Sequence, residues 1–281
     1  MKNYTNNDVE LIKKDDVYYL KFKILNKYED KIRHAITLRH GGVSAFPRDT
    51  LSFRSVGDKE NVLKNVEIIC DKINTNKNNV FKASQAHTAN ILILDNSNKK
   101  SYHIKNFSDD EYDGYITKEK NIATLVTTAD CNPIIIYDPK QNIVANVHSG
   151  WKGTIKKISL KAVSILINEF NSKAEDLIVC IGPSIRKCCF SSEEENFKNM
   201  FTDIWENEEE YIYYEKNSKR FHIDLIHVIK KDLMSIGIKE KNISDANICT
   251  MCNSDDFFSY RVATREKYDD YGVMATIVEL I

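Results

Sequence analysis

Short apolar runs separated by polar turn residues dominate the chain. Runs of four to eight residues rich in β-branched and aromatic side chains are typical of strands. One pair is separated only by DPKQN (138–142), a turn signal that predicts a β-hairpin. The predicted strands are 17–25 (VYYLKFKIL), 90–95 (NILILD), 122–130 (IATLVTTAD), 132–138 (NPIIIYD), 142–150 (NIVANVHSG) and 176–183 (DLIVCIGP).

Three other segments have helical periodicity. In residues 58–73 apolar side chains recur at three- and four-residue spacing behind a capping aspartate, and residues 154–170 have one continuous apolar face. A third helix, within 222–238, is predicted to end near Gly237. Strands occur in groups with helices between them, so we expect an α+β fold with one mixed central β-sheet flanked by helices.

Composition narrows the class of protein. The chain has 281 residues, of which 42% are hydrophobic and 29% charged, with a net charge of −1. This balance is typical of a globular protein and provides no field that would recruit nucleic acid or an anionic membrane surface. We expect a cytoplasmic protein, because no apolar run approaches a membrane span or a signal core. Seven cysteines, an odd number, argue against a disulfide framework.

Three metal-binding side chains stand at the ends of apolar runs. His87 precedes one run, Cys131 lies between two, and His148 closes another. A rigid sheet can present side chains at its strand ends to a shared cleft. Two imidazoles and a thiolate suit Zn²⁺, and three protein ligands leave the fourth position open, as in catalytic zinc sites. The large sequence gaps between the three make this pattern only suggestive.

The remaining cysteines give a weaker signal. Cys249 and Cys252 form a C-x-x-C pair, which is typical of half a structural zinc site or of a redox pair. No second C-x-x-C completes it, and the adjacent Cys188 and Cys189 look like a poor chelate. We therefore expect reduced, partly buried thiols here.

Eight motifs occur together in an order that is typical of one family. Through them the chain resembles the laccase-domain family, long labelled multicopper polyphenol oxidase and now regarded as purine nucleoside phosphorylases. The resemblance implies a domain over residues 32–281. The N-terminal extension, 1–31, lies outside it, and we expect strands there that pack on the main domain. The motifs are TLRHGGVS, VGDKENVLKN, SQAHTANI, DGYIT, VTTADCNPIIIYDP, VANVHSGWKGT, IGPSIRKCCF and CTMCNSDDFFSYR.

The resemblance also implies a fold and an activity. It implies the laccase-domain α+β fold and one zinc ion per chain, held by His87, Cys131 and His148. The implied reaction is phosphorolysis of adenosine, inosine and methylthioadenosine to the free base and a ribose 1-phosphate, with adenosine deamination as a companion activity. The expected partners are therefore nucleosides and phosphate, in a monomer or small homo-oligomer.

Two further residues are candidates for supporting roles. Arg39, in LRHGG, could grip phosphate with its planar fork, or form a structural ion pair. Asp130, beside Cys131, could act as a catalytic acid or base, support a ligand, or point away from the metal. Lys152 stands where the family commonly has arginine, and Arg186 where a small residue is expected, which affects substrate preference rather than zinc.

Three other functions are weighed against this one. A multicopper oxidase needs His-x-His pairs, and none of the seven histidines forms one. A metal-free hydrolase or deamidase would use Cys131 as nucleophile and His148 as base. A binding module without activity is the least economical alternative, because it leaves the ligand set unexplained.

Overall fold

The computed structural model describes residues 1–281, which form fifteen strands and six α-helices. The strands are β1 Val9–Lys14, β2 Val17–Phe22, β3 Ile32–Thr37, β4 Val80–Phe81, β5 Ile91–Ile93, β6 Gly114–Thr117, β7 Ala123–Thr128, β8 Asn132–Asp138, β9 Ile143–Ser149, β10 Ile178–Ile181, β11 Ser191–Ser192, β12 Ile212–Glu215, β13 Arg220–Ile223, β14 Ile243–Asp245 and β15 Met274–Leu280. The helices are α1 Lys59–Ile73, α2 Trp151–Ile155, α3 Ile158–Phe170, α4 Glu195–Thr202, α5 Leu225–Ser235 and α6 Tyr260–Arg265.

The strands form two six-stranded sheets and one small three-stranded sheet. The first sheet has the order β1-β2-β3-β15-β7-β4, and the second has the order β14-β10-β8-β9-β6-β5. Both are mixed, because β4 pairs with β7, β5 with β6 and β10 with β14 in parallel, whereas the other neighbours are antiparallel. The small sheet has the order β11-β13-β12.

The two large sheets pack face to face between helices. One core cluster joins side chains of β2, β3 and β15 to side chains of β8, β9 and β10. A second cluster covers the outer face of the second sheet with α3 and α5, and a third covers the outer face of the first sheet with α1. The layers are therefore helix, sheet, sheet, helix, and most of the long strands are buried on both faces.

The fold class predicted from the sequence is confirmed, with one correction. Mixed sheets flanked by helices are present, but there are two large sheets rather than one central sheet. Apolar periodicity identifies strands without saying which of them share a sheet, so this division was not accessible from the pattern. The predicted hairpin around 138–142 is confirmed by the antiparallel pairing of β8 with β9.

The helix predicted over 154–170 is two helices. Lys157 has a left-handed φ of 56°, which interrupts the helical conformation between α2 and α3. Beyond the break, Ile158, Ala162 and Leu166 are fully buried against the second sheet, as the periodicity predicted. The helix predicted to end near Gly237 is α5, and Gly237 follows it with a φ of 102°. Amphipathic spacing thus located the buried face but not the break.

The N-terminal segment belongs to the first sheet. Strands β1 and β2 form an antiparallel hairpin, and β2 then pairs with β3. The strand predicted over 17–25 ends at Phe22, where a 3₁₀ helix begins. The division of the chain at residue 31 remains a prediction. None of the helices has the length and apolar character that a membrane-spanning segment requires.

Candidate active site and metal centre

His87, Cys131 and His148 meet in space, and we call them the His–Cys–His cluster. Their ligand atoms all lie within 4.8 Å of one another. His87 lies in the loop between β4 and β5, Cys131 immediately precedes β8, and His148 is on β9. The three side chains thus come from a loop, a strand-to-strand connection and a strand, which brings together positions up to 61 residues apart in the chain.

The spacing of the donor atoms fits a tetrahedral zinc ion. Cys131 Sγ lies 3.6 Å from His87 Nε2. Zinc bonds of about 2.3 Å to sulfur and about 2.0–2.1 Å to nitrogen, at tetrahedral angles, put two such atoms about 3.6 Å apart. One thiolate and two imidazoles are a borderline-soft donor set of the kind that zinc prefers. The residues therefore fit the ion that the sequence predicted, with one coordination position left for solvent or substrate.

Asp113 contacts both histidines of the cluster. Its fully buried carboxylate forms a hydrogen bond with His148 Nδ1 at 2.7 Å. It accepts a hydrogen bond from the backbone N–H of His87 at 3.1 Å. It also accepts two from Thr88, one backbone and one hydroxyl. Because Nδ1 of His148 is occupied, Nε2 is the atom directed to the cluster. A carboxylate behind a ligating histidine fixes its tautomer and orientation.

Gly150 makes room for the cluster. A Cβ atom built on Gly150 would lie 2.6 Å from His87 Cδ2 and 3.0 Å from Cys131 Sγ. Its backbone is extended and accessible to any residue, so space rather than conformation requires glycine here. The glycine of the HSGW motif therefore lets two ligands approach the strand end.

The pKa values of Cys131 and His148 depend on each other. Burial would raise the pKa of the Cys131 thiol, but the facing His148 and His87 outweigh it and lower the pKa to about 7. Burial would lower the pKa of His148, but the Cys131 sulfur and the Asp113 carboxylate raise it to about 9. Without an ion, the geometry therefore favours a thiolate facing an imidazolium. Both groups must be deprotonated to bind a metal; because the thiol has already lost its proton in this pair, binding releases the proton of the imidazolium.

Asp130 is directed away from the cluster. It has a φ of 85°, which is rare for a residue other than glycine, and it turns the chain just before Cys131. Its carboxylate accepts hydrogen bonds from Thr250 Oγ1 at 2.6 Å, Ser259 Oγ at 2.9 Å and the backbone N–H of Arg261 at 2.7 Å. These bonds hold the turn that presents Cys131. Asp130 thus acts as a positioning residue in this geometry, and its predicted catalytic role remains a prediction.

A polar cavity of about 390 Å³ opens on one side of the cluster. Two cations line it: Arg54, stacked 4.1 Å from the Tyr271 ring centroid, and Lys152, which is close to the Trp151 ring. Arg54 also pairs with Asp270. The cavity therefore combines positive charge with aromatic walls beside the cluster.

A more apolar cavity of about 270 Å³ adjoins it. Its walls include Phe190, Phe197 and Leu225, and it shares His87, Cys131, Trp151 and Tyr260 with the polar cavity. The cluster thus stands at the boundary between a polar chamber and an apolar one. Such a boundary suits a ligand with an anionic or hydroxylated end and a flat apolar end.

Arg39 does not line either cavity. Its guanidinium donates to the backbone carbonyl oxygens of Asp49 and Ser254 and stacks 4.8 Å from the Phe258 ring centroid. These contacts are structural, and the predicted phosphate-binding role of Arg39 remains a prediction. Arg54 is the arginine at the polar cavity, and nothing in its local sequence distinguished it.

Sequence reasoning also missed Asp113 and the two tyrosines of the cavity. Asp113 lies in the DGYIT motif, just before β6, where an aspartate followed by glycine looks like an ordinary turn. Its backbone carbonyl accepts from the His148 N–H at 2.7 Å, so main chain and side chain both contact the same histidine. Tyr260 and Tyr271 come from separate C-terminal segments and meet with ring centroids 5.1 Å apart.

Two named relatives and one solved structure are similar to this chain. A protein named purine nucleoside phosphorylase from Bacteroides thetaiotaomicron is 28% identical over 249 residues, covering 88% of this chain and 92% of that protein. A protein from an unknown prokaryotic organism, named adenosine deaminase RL5, is 26% identical over 182 residues, covering 63% and 67%. The crystal structure of the hypothetical protein YfiH from Bacillus licheniformis superposes with a TM-score of 0.86 at 22% identity, covering 98% of this chain and all of that one.

A family match covers nearly all of the chain that follows the N-terminal segment. The family described as multi-copper polyphenol oxidoreductase laccase matches residues 33–281, which includes every residue of the His–Cys–His cluster and both cavities. This chain therefore belongs to the multi-copper polyphenol oxidoreductase laccase family.

Proposed function

We propose that this protein is a zinc-dependent purine nucleoside phosphorylase, with adenosine deamination as a companion activity. Its substrates are adenosine, inosine and methylthioadenosine, and the products of phosphorolysis are the free base and a ribose or methylthioribose 1-phosphate. The observation that carries the proposal is the His–Cys–His cluster at the boundary of a cationic and an apolar cavity. The names of the relatives agree with it.

The two cavities divide the work of binding. Phe190 and Phe197 give the apolar cavity aromatic walls against which a purine can pack. Lys152 and Arg54 give the polar cavity the charge to hold phosphate beside the ribose. Phosphate attacks C1′ as the bond to the purine nitrogen breaks, and the electron pair leaves with the base, which takes up a proton. When bound, zinc supplies a Lewis acid at the wall that the two cavities share.

The donor set argues for zinc rather than the copper of the family's description. Oxidase chemistry needs a trinuclear copper cluster in addition to a His₂Cys site, and the groups that could hold a metal here are the His–Cys–His cluster and a set of four cysteines. Neither provides the histidine pairs of such a cluster. Zinc with one open position is the better match to one thiolate and two imidazoles.

The test is turnover of the three nucleosides with and without phosphate, followed as release of free base, together with the metal content of the purified protein. We expect base release that requires phosphate and is lost in Cys131→Ala. Cys180→Ala is the matched control, because Cys180 is a buried cysteine on β10 that belongs to neither of the two groups that could hold a metal. If adenosine gave only inosine, with no requirement for phosphate, the main reaction would be deamination and not phosphorolysis.

A second candidate is a metal-free hydrolase or deamidase. Cys131, His148 and Asp113 form a thiol–imidazole–carboxylate series, the arrangement of a cysteine nucleophile with an oriented base. Two measurements separate this candidate from the phosphorylase: the metal content of the purified protein, and its activity after alkylation of Cys131. Protein that carries no metal at the His–Cys–His cluster and loses activity on alkylation of Cys131 would be the hydrolase.

A further inference from the structure

The structure brings four cysteines together at a second location, and we call them the four-cysteine cluster: Cys188, Cys189, Cys249 and Cys252. Their sulfur atoms all lie within 4.8 Å of one another, and none forms a disulfide. We propose that the four-cysteine cluster is a second metal site, a structural four-thiolate site for zinc. This site is separate from the His–Cys–His cluster and shares no ligand with it.

The sulfur spacing is that of a tetrahedral ion. Cys252 Sγ lies 3.7 Å from Cys188 Sγ and 3.4 Å from Cys189 Sγ. Zinc–sulfur bonds of about 2.3 Å at tetrahedral angles put two sulfur atoms about 3.8 Å apart. Four sulfur atoms at mutual distances of this order leave room for one ion between them, and soft thiolate ligands favour zinc over hard cations.

The backbone explains how adjacent cysteines can bind one ion. Cys188 and Cys189 lie in a turn in which the N–H groups of Cys189 and Phe190 both donate to the carbonyl oxygen of Arg186. In such a helical turn consecutive side chains diverge by about 100° rather than pointing to opposite sides as in a strand. The turn therefore removes the objection that adjacent cysteines form a poor chelate.

The C-x-x-C half is arranged to receive a metal. Cys249 precedes and Cys252 lies within the 3₁₀ helix Met251–Asn253. The Thr250 N–H donates to the Ser184 carbonyl oxygen at 3.1 Å, which ties this segment to the one that leads to the other two cysteines. The two pairs of cysteines are therefore held side by side before an ion binds.

The four-cysteine cluster also explains two exposed thiols. Cys188 and Cys252 are exposed, although free thiols at a surface are prone to oxidation. Coordination removes that reactivity.

A metal here would brace the wall behind Cys131. Thr250, which follows Cys249, donates to the Asp130 carboxylate at 2.6 Å. Arg261 donates its backbone N–H to the same carboxylate and its guanidinium to the Cys189 carbonyl oxygen at 3.4 Å. Two residues next to the four-cysteine cluster thus contact the turn that presents Cys131, and we assign the site a positioning role.

The experiment counts metal ions and identifies their ligands, with zinc alone as the probe. Protein purified under reducing conditions is loaded with zinc, dialysed and analysed by mass spectrometry of the metal. We expect two ions per chain in the wild type, one in Cys252→Ser and one in His148→Ala. Cys180→Ala, a cysteine outside both sites, keeps two.

If Cys252→Ser does not fold, X-ray absorption tests the proposal instead, because it identifies the sulfur and nitrogen neighbours of the bound ions. The wild type has five sulfur and two nitrogen ligands from its seven donor residues, shared between two ions. In His148→Ala the remaining ion shows sulfur neighbours only, at about 2.3 Å. A wild-type protein with one ion and four titratable thiols would overturn the proposal. So would a Cys189–Cys252 disulfide in the protein as isolated, which would make the cluster a redox pair.

Discussion

Two buried histidines in facing sheets show what decides the chemistry of a side chain. His34 on β3 and His148 on β9 each expose 3% of their surface. Burial lowers the pKa of His34 to about 3, and its Nε2 accepts a hydrogen bond from the Phe22 N–H at 2.7 Å. At His148 the Cys131 sulfur and the Asp113 carboxylate overcome burial and raise the pKa to about 9. Equal burial thus gives opposite behaviour, and the partner decides it.

The largest expected contrast comes from removing each imidazole. His148→Ala should abolish turnover and lose the ion of the His–Cys–His cluster, because one of three ligands is gone. His34→Ala should keep both and lower the free energy of unfolding by about 1–3 kcal/mol, because the buried Phe22 N–H loses its acceptor. Kinetics, metal analysis and denaturant unfolding measure the two outcomes. Equal loss of metal in both variants would contradict the assignment of metal binding to His148 and of a structural hydrogen bond to His34.

The second expected effect is acid destabilisation through His34. Its pKa is about 3 in the folded protein and about 6.5 when unfolded, so between these values the unfolded state binds more protons. Its contribution is therefore fully present above pH 6.5 and is lost as the pH falls, by about 1.4 kcal/mol per pH unit down to about pH 3.

The check is urea unfolding across this pH range in wild type and His34→Gln. Glutamine has a side-chain acceptor and no titrating group, so the pH slope should fall by about 1.4 kcal/mol per unit. His103→Gln, at a position that is not buried, serves as the control and should retain the wild-type slope. Parallel curves for wild type and His34→Gln would refute the assignment.

Asp113→Asn tests the partner that distinguishes His148. The amide keeps the shape but loses the charge behind the imidazole, so the affinity of the His–Cys–His cluster for zinc should fall about 10- to 100-fold. Competition with a chelator measures it. Asp138→Asn is the matched control, because Asp138 is equally buried but bonds only the backbone of the turn after β8. Unchanged zinc affinity in Asp113→Asn would show that the charge of the Asp113 carboxylate does not support zinc binding.

The smallest expected effect concerns how Asp113 is held. Thr88→Val removes one hydroxyl donor to that carboxylate, at 2.7 Å. A single hydrogen bond contributes about 0.5–1.5 kcal/mol, so zinc affinity should fall by about tenfold or less. Thr88→Ser retains the hydroxyl and should behave as the wild type. A loss as large as that of Asp113→Asn would mean that Thr88 does more than orient the carboxylate.

The sequence predicted the ligands of the site better than their support. His87, Cys131 and His148 could be selected because each interrupts an apolar pattern at a strand end, and the structure brings all three together. Asp113 and Arg54 were not selected, because their roles depend on which loops meet across the two sheets. Long-range proximity of this kind leaves no periodic signal in one chain.

Backbone conformation accounts for other differences. The left-handed φ of Lys157 turns the chain inside a segment whose side-chain pattern indicates one continuous helix. The turn at Cys188 and Cys189 lets two adjacent cysteines face the same point, which their adjacency in the sequence did not indicate. Strand and helix positions follow from hydrophobic spacing, whereas rare dihedral angles at asparagine, aspartate or lysine depend on tertiary contacts.

The position of Cys131 has a consequence for folding. It lies where the chain leaves β7 in the first sheet and enters β8 in the second, while His148 belongs to the second sheet and the loop of His87 follows β4 of the first. The ligand set is thus complete only when both halves of the sandwich have docked. Zinc uptake by a refolding chain would then report sheet–sheet docking, with no label attached to the protein.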